Sequence, residues 1–182
     1  MLKKQIEFEV IYNQYSVLVY NVALHYLQNI EDAEEVTQDV FIQVHQSLAQ
    51  FQEKSSLKTW IYRIAINKSL DFLKKKESKK HFFIFGKKST NSIEIQNLTT
   101  FEHPGILLEN KENAALLFDV INSLKENQKT AFILSKIDGL SNPEIAQIME
   151  VSISSVESLI FRAKNTLKEK LTHKFEDFRK KK

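Results

Sequence analysis

Residues 138–164, "DGLSNPEIAQIMEVSISSVESLIFRAK", decide the fold of the region around them. The stretch contains two short helical patterns separated by "MEVS", and the second pattern has few apolar residues at its start. Ser141 and Glu144 have the spacing of a capping box, and Pro143 fits a first helical turn, where its missing N–H leaves no hydrogen bond unmade. The second helix begins at Ser152 or Ser154. The pattern predicts a helix-turn-helix.

The second helix of this motif has an apolar face, formed by Val156, Ile160, Ala163 and Leu167,. Small polar residues at the start of the opposite face allow close approach to base edges, and the N–H groups there suit phosphate. The predicted contacts to duplex DNA are Ser154, Ser155, Glu157, Ser158, Arg162 and Lys164. Arg162 can reach either a phosphate or a guanine edge. For this segment alone, an ordinary helical hairpin is the alternative.

Composition favours an all-α fold, because three Gly and two Pro are fewer than a turn-rich all-β protein needs,. The chain has no cysteine, which excludes a disulfide framework and a cysteine zinc site,. No apolar run approaches the roughly 18 residues of a membrane helix, and the N-terminus lacks the apolar segment of a signal peptide. We expect a soluble, cytoplasmic protein with no membrane insertion, metal or cofactor.

Charge is unevenly distributed along the chain. The net charge is +3, but residues 74–88 and 162–182 each carry +6, so the remainder carries −9. Basic blocks separate from an acidic body suggest one polyanionic partner and a second, different partner. Lysine runs that only solubilise a loop and a tail are the alternative.

Helical periodicity indicates two small helical domains. In the first half, helices are predicted at 5–28, 31–49 and about 57–74,. From about residue 75 to 110 the helical periodicity is lost, and the sequence is rich in Lys, Ser, Thr and Asn and includes Pro104 and Gly105. This stretch is much longer than the connections of about 4–6 residues that compact domains prefer. The predicted organisation is a domain at 1–75, a flexible linker at 76–110 and a helix-turn-helix domain with a basic tail at 111–182.

Two parts of the sequence resemble bacterial sigma factors. The segments "IEDAEEVTQDVFIQVHQSLAQF" and "SSLKTWIYRIAINKSLDFLKKK" resemble sigma region 2, and "GLSNPEIAQIMEVSISSVESLIFRAKNTLKEKL" resembles region 4. Two domains and a linker without region 3 match the extracytoplasmic function (ECF) subgroup of the sigma-70 family. The resemblance spans about residues 5–172. It implies a non-catalytic subunit that directs RNA polymerase to promoters. Glu157 and Leu159 stand where the family often has basic residues, and Lys125 where it often has proline.

The resemblance implies that the helix at 31–49 binds the coiled-coil of the polymerase β′ subunit through the face opposite its apolar stripe. Acidic residues there steer a basic partner, and an apolar residue anchors it. The predicted contacts are Asp32, Glu35, Gln38, Asp39, Phe41 and Ile42. Phe41 is predicted to have a split role, packing partly in the core and contacting polymerase in part. Without the resemblance, this face is an ordinary solvated surface.

On the third helix, Ser56, Thr59, Arg63, Asn67 and Asp71 recur at steps of three or four and form a polar stripe. The Arg63 cation suits a phosphate, the Asn67 amide suits a base edge and the Trp60 ring suits the face of a base. This combination favours binding to single-stranded DNA. The predicted contacts to the melted downstream (minus-ten) element are Lys58, Thr59, Trp60, Arg63, Asn67 and Asp71. The resemblance implies that the loop at 50–58 cups an extruded base. For Trp60, a core position is the alternative.

The implied partners are core RNA polymerase, through its β′ coiled-coil and β flap, and promoter DNA. The upstream (minus-thirty-five) element is read as a duplex and the downstream element once melted, and an anti-sigma factor is a further partner that the resemblance allows. The alternative function is a two-domain helix-turn-helix regulator that binds duplex DNA without polymerase. An enzyme is disfavoured, because the five histidines are scattered and no metalloprotease or phosphate-loop motif occurs,.

Overall fold

The computed structural model describes the backbone of residues 2–86 and 111–180, and the side chains of 8–78 and 116–172. Regular structure in these ranges is entirely helical, which confirms the predicted all-α class. The helices are α1 (Leu2–Leu27), α2 (Ile30–Ser47), a 3₁₀ turn (Leu48–Gln50), α3 (Leu57–Gly86), α4 (Lys111–Asn122), α5 (Glu126–Lys136), α6 (Asn142–Met149) and α7 (Ile153–Lys180). No described helix is both long and apolar enough to cross a membrane.

The chain divides into two compact units, Met1–His103 and Pro104–Lys182, called here the N-terminal and C-terminal units. In the N-terminal unit, α1, α2 and α3 each pack against the other two. Their shared core contains Val19, Val22, Tyr26, Val36, Val40, Val44, Ile61 and Ala65, all almost fully buried. Each large side chain buried in this way contributes about 1.5–3 kcal/mol relative to exposure.

A tight corner joins α1 to α2. Gln28 adopts a left-handed backbone conformation (φ 55°) and its N–H donates to the Leu24 carbonyl at 2.8 Å. Asn29 then caps α2, because its side-chain oxygen accepts from the Asp32 N–H at 2.8 Å. Glu31 and Asp32 in the first turn complement the helix dipole,. The predicted break therefore lies at Gln28–Asn29, and α2 begins one residue before its predicted start.

Helix α3 is longer than predicted. The sequence suggested an end near residue 74, whereas α3 continues to Gly86. Residues 75–85 contain no Pro or Gly, and Lys and Glu are good helix formers,. The Lys76 ammonium also pairs with the Asp32 carboxylate at the start of α2. The first part of the predicted linker is thus helical, and residues 87–110 lie outside the described residues.

In the C-terminal unit, α7 packs against α4, α5 and α6. At the start of α6, the Glu144 carboxylate accepts from the Ser141 N–H at 2.9 Å and from its hydroxyl at 2.7 Å, as expected of a capping box. Glu150 is left-handed (φ 57°), and the Val151 N–H donates to the Ala146 carbonyl at 3.1 Å, which closes α6,. The predicted helix-turn-helix is confirmed.

Candidate functional site

Helix α7 is held to the C-terminal unit by one row of buried side chains and presents its other rows to solvent. Val156, Ile160, Ala163 and Leu167 are buried, as predicted. The six residues predicted to contact duplex DNA are all exposed, namely Ser154, Ser155, Glu157, Ser158, Arg162 and Lys164. The helix can therefore enter a groove without disturbing the packing of the unit.

At about 100° of rotation per residue, the exposed residues of α7 fall into three rows. Ser154 and Ser158 lie near the centre of the outward face. Glu157 and Phe161 flank them on one side, and Ser155 and Arg162 on the other. Sequence reasoning missed Phe161, whose side chain is 65% exposed. An apolar residue out of phase with the buried row was the signal that could have found it.

The first turn of α7 carries a cluster of hydroxyl groups. Ser152 is the N-cap, because its hydroxyl oxygen accepts from the Ser155 N–H at 3.2 Å. The same oxygen lies 3.0 Å from the Ser154 hydroxyl and 2.8 Å from the Ser155 hydroxyl. Hydroxyl groups both donate and accept, so this end of the helix can bind a phosphate oxygen or a base edge.

Arg162 borders two adjoining open grooves of about 460 and 480 Å³. Both are also lined by Lys125 and Gln128 at the start of α5, and the smaller groove is lined by Ser123 and Lys170 as well. The Lys170 ammonium donates to the Ser123 hydroxyl at 2.7 Å. Lys125, Lys170 and the N-terminus of α5 make the surroundings of Arg162 suitable for an anion. These surroundings favour a phosphate contact for Arg162 over a guanine contact. Lys125 and Lys170 were not predicted from the sequence.

On α3, the predicted polar stripe is present except at one position. Lys58, Asn67 and Asp71 are exposed, and Arg63 is half-buried. Thr59 was predicted to contact DNA but is only 7% exposed. Its N–H donates to the Ser56 hydroxyl oxygen at 3.0 Å, and the two hydroxyl oxygens lie 2.9 Å apart. Thr59 therefore belongs to the capped first turn of α3, and its role as a DNA contact stays a prediction.

Trp60 lies between the two roles considered for it. Its side chain is half-buried, and its ring contacts that of Phe51 with centroids 5.0 Å apart and planes inclined at 38°. Phe51 comes from the loop predicted to cup a base, and sequence reasoning did not assign it a role. The contact joins this loop to the polar stripe of α3, so an aromatic surface adjoins Arg63 and Asn67 on the same helix.

The outward face of α2 carries most of the residues predicted to contact polymerase. Glu35, Gln38 and Asp39 are exposed and Ile42 is 56% exposed, whereas Asp32 is half-buried and paired with Lys76. We call the four exposed residues, Glu35, Gln38, Asp39 and Ile42, the α2 face.

Phe41 does not belong to the α2 face. It is only 4% exposed, and its ring meets those of Tyr12 and Phe8 edge-on at centroid distances of 4.7 and 6.4 Å. α1 covers the side of α2 from which Phe41 projects, so the core part of its predicted split role is seen here and the interface part stays a prediction.

Comparison with known families matches both units. The model of sigma-70 region 2 matches residues 11–79, and that of sigma-70 region 4 matches residues 114–167. The chain is 32% identical over 146 residues to the ECF RNA polymerase sigma-E factor of Escherichia coli K12, covering 77% of this chain and 74% of that protein. It is 29% identical over 165 residues to the sigma-E factor of Haemophilus influenzae, covering 90% of this chain and 87% of that protein.

Solved structures show the same fold at lower sequence identity. The sigma factor RpoE of Bartonella quintana, in complex with the anti-sigma factor NepR, is 20% identical with a TM-score of 0.65, covering 91% of this chain and 97% of that one. CnrH, in complex with the cytosolic domain of CnrY, is 20% identical with a TM-score of 0.64, covering 93% and 90%. At this identity the likeness concerns the fold alone.

Proposed function

The chain belongs to the sigma-70 family of bacterial RNA polymerase sigma factors, in its ECF group, and from this premise we propose how its two units direct polymerase to a promoter. The N-terminal unit binds core polymerase and holds the melted downstream element. The C-terminal unit recognises the upstream element as a duplex. The chain contributes binding and positioning, and the chemistry of RNA synthesis belongs to the polymerase.

The observation that carries this proposal is that the N-terminal unit has two different exposed surfaces and that the C-terminal unit contains a helix-turn-helix. The α2 face combines acids with an exposed isoleucine, as suits a basic protein partner with an apolar pocket,. The stripe on α3 combines Arg63, Asn67 and a partly exposed ring, as suits unstacked bases,. A regulator that binds only duplex DNA would use neither surface.

On the α2 face, the proposed polymerase contacts are Glu35, Gln38, Asp39 and Ile42, with Asp32 at its edge. Asp32 is paired with Lys76, so it joins the interface only if that exposed ion pair opens. Such pairs are worth about 0–1 kcal/mol, which a polymerase interface can readily offset.

The proposed contacts to melted DNA are Lys58, Trp60, Arg63, Asn67 and Asp71, and the proposed contacts to duplex DNA are the exposed residues of α7. The β flap of polymerase and an anti-sigma factor are further partners that follow from the family. The place of action is then the cytoplasm, where bacterial polymerase transcribes.

The test is run-off transcription from a promoter library by core polymerase with and without the chain. We expect defined start sites only when the chain is present. The free chain should bind duplex promoters poorly, since a single small DNA-binding module usually buries less than the roughly 1,000–2,500 Å² of a typical specific interface. Tight, sequence-specific footprints by the free chain, with no effect on polymerase, would instead support a regulator that works without polymerase.

A further inference from the structure

An acidic residue occupies the second turn of the helix proposed to enter the major groove. Glu157 is exposed on α7 and lies beside the central row formed by Ser154 and Ser158. Both serines are too small to cover its carboxylate. A negative charge at this position is unexpected, because it approaches two strands of phosphate, and the family often has a basic residue there.

Glu157 has no partner among the side chains of α7 that the structure describes, residues 153–172. The residues three and four positions away are Ile153, Ser154, Ile160 and Phe161, none of which is a cation. Among the described residues, none forms a hydrogen bond or an ion pair with Glu157. A surface ion pair of the usual helical kind therefore does not account for the carboxylate.

We propose that Glu157 reads a cytosine in the upstream element; this assignment rests on the proposed function. An ionised carboxylate only accepts hydrogen bonds, so it needs a donor in the groove. Guanine presents two acceptors there, and thymine an acceptor and a methyl group. Adenine presents its amino group beside the N7 acceptor, which repels a carboxylate, whereas cytosine presents its N4 amino group as a donor.

The electrostatics of the surrounding helix support this geometry. Arg162 and Lys164 flank the same segment and can neutralise nearby phosphates, so the carboxylate is not the only charge brought to the DNA. Repulsion by phosphate then acts on every sequence equally, while the hydrogen bond to N4 forms with one base only. Glu157 would therefore add specificity more than affinity.

The experiment is selection of promoters by the holoenzyme, core polymerase plus the full chain, from a library with a randomised upstream element. Wild-type chain should prefer cytosine at one position by about fivefold or more. Glu157→Ala should lose that preference while other positions stay unchanged, and Glu157→Gln should shift it toward adenine, which a glutamine amide can bind through N6 and N7. Glu169→Gln, which removes an exposed charge three turns further along α7, is the matched control and should behave as wild type.

The outcomes separate the two levels of the proposal. If the wild-type holoenzyme enriches no upstream sequence, the proposed function fails and this assignment with it. If it enriches upstream positions that Glu157→Ala leaves unaltered, only the assignment of Glu157 is overturned. Uniform weakening at all sequences would also overturn it, because that result marks a contact to the backbone. Melting curves of the variants should match wild type, since Glu157 is exposed.

Discussion

Two neighbouring apolar residues of α2, Phe41 and Ile42, are expected to respond to alanine substitution in opposite ways. Phe41 is 4% exposed and packs against two aromatic rings of α1. Phe41→Ala should therefore lower the free energy of unfolding by about 3–5 kcal/mol, the usual cost of emptying a buried phenylalanine site. Ile42 is 56% exposed, so Ile42→Ala should cost about 1 kcal/mol or less,.

Binding to core polymerase should show the reverse order. If Ile42 anchors the α2 face in a pocket of the partner, its truncation should cost about 1–2 kcal/mol, which is roughly a 5- to 30-fold weaker Kd. Phe41→Ala should retain near wild-type affinity wherever the N-terminal unit remains folded. Val17→Ala is the control, because Val17 is 70% exposed on α1 and lies outside the α2 face. It should change neither quantity.

The chain carries its own probe for the stability measurement. Trp60 is the single tryptophan and lies in the N-terminal unit, so its fluorescence in a urea titration reports unfolding of that unit. Affinity can be measured from the anisotropy of labelled chain titrated with core polymerase. Unchanged affinity of Ile42→Ala would remove Ile42 from the interface. A loss of less than about 1 kcal/mol in Phe41→Ala would refute the assignment of Phe41 to the core.

Asp39→Arg should weaken core-polymerase affinity at least about tenfold without lowering the melting temperature, because it reverses a charge on an exposed face,; a lower melting temperature with unchanged affinity would show that the face is internal. Arg162→Ala should weaken binding to all upstream sequences and reduce the salt slope by about one. A loss confined to one base pair, measured across salt concentrations, would assign Arg162 to a guanine instead. Trp60→Ala and Asn67→Ala should lower the permanganate reactivity of bubble thymines on duplex promoters, and a pre-melted template should restore part of the activity, since stacking is worth about 1–3 kcal/mol per base. Full reactivity of both variants would show that the stripe does not hold the opened strand.

The helix-turn-helix could be predicted closely from the sequence because its local signals agree with one another. Ser141, Pro143 and Glu144 mark the start of α6 by short-range chemistry, and the structure shows the expected hydrogen bonds. Only the cap of α7 was ambiguous between Ser152 and Ser154. Ser152 caps the helix, and the Val156 N–H donates to the Ser152 carbonyl at 3.1 Å, so the first turn begins there.

Burial at Phe41 and Thr59 could not be predicted, because it depends on groups outside the periodic pattern. A helical wheel assigns Phe41 to the edge of the apolar stripe, but the rings that cover it belong to α1, some thirty positions earlier (Phe8 and Tyr12). Thr59 follows the spacing of the polar stripe, yet the cap formed by Ser56 draws its hydroxyl into the first turn of α3. The aromatic contact of Phe51 with Trp60 likewise depends on the path of a loop.

The end of α3 shows why composition is a poor guide to a helix boundary. A run rich in lysine is well solvated either as a helix or as a coil, so its polarity does not distinguish the two states. Helix propensity favours continuation, and the pairing of Lys76 with Asp32 adds a contact that exists only when α3 continues past its predicted end,.

The geometry of α7 suggests how one short helix can separate affinity from specificity. Glu157 and Arg162 are five residues apart and therefore lie about 140° apart around the helix axis. A helix about 10–12 Å in diameter nearly fills a major groove about 12 Å wide, so side chains on different flanks meet different parts of the DNA. The Arg162 flank adjoins the groove lined by Lys125 and Lys170, which suits phosphate and acts on any sequence. On the Glu157 flank, the positions three and four residues from Glu157 carry no cation, and Lys164 lies two turns further along. The carboxylate itself can therefore gain only from a base that donates a hydrogen bond. If the proposals for Arg162 and Glu157 both hold, we expect the basic flank to fix the roll of α7 in the groove and the acidic flank to discriminate between the bases that this roll brings within reach.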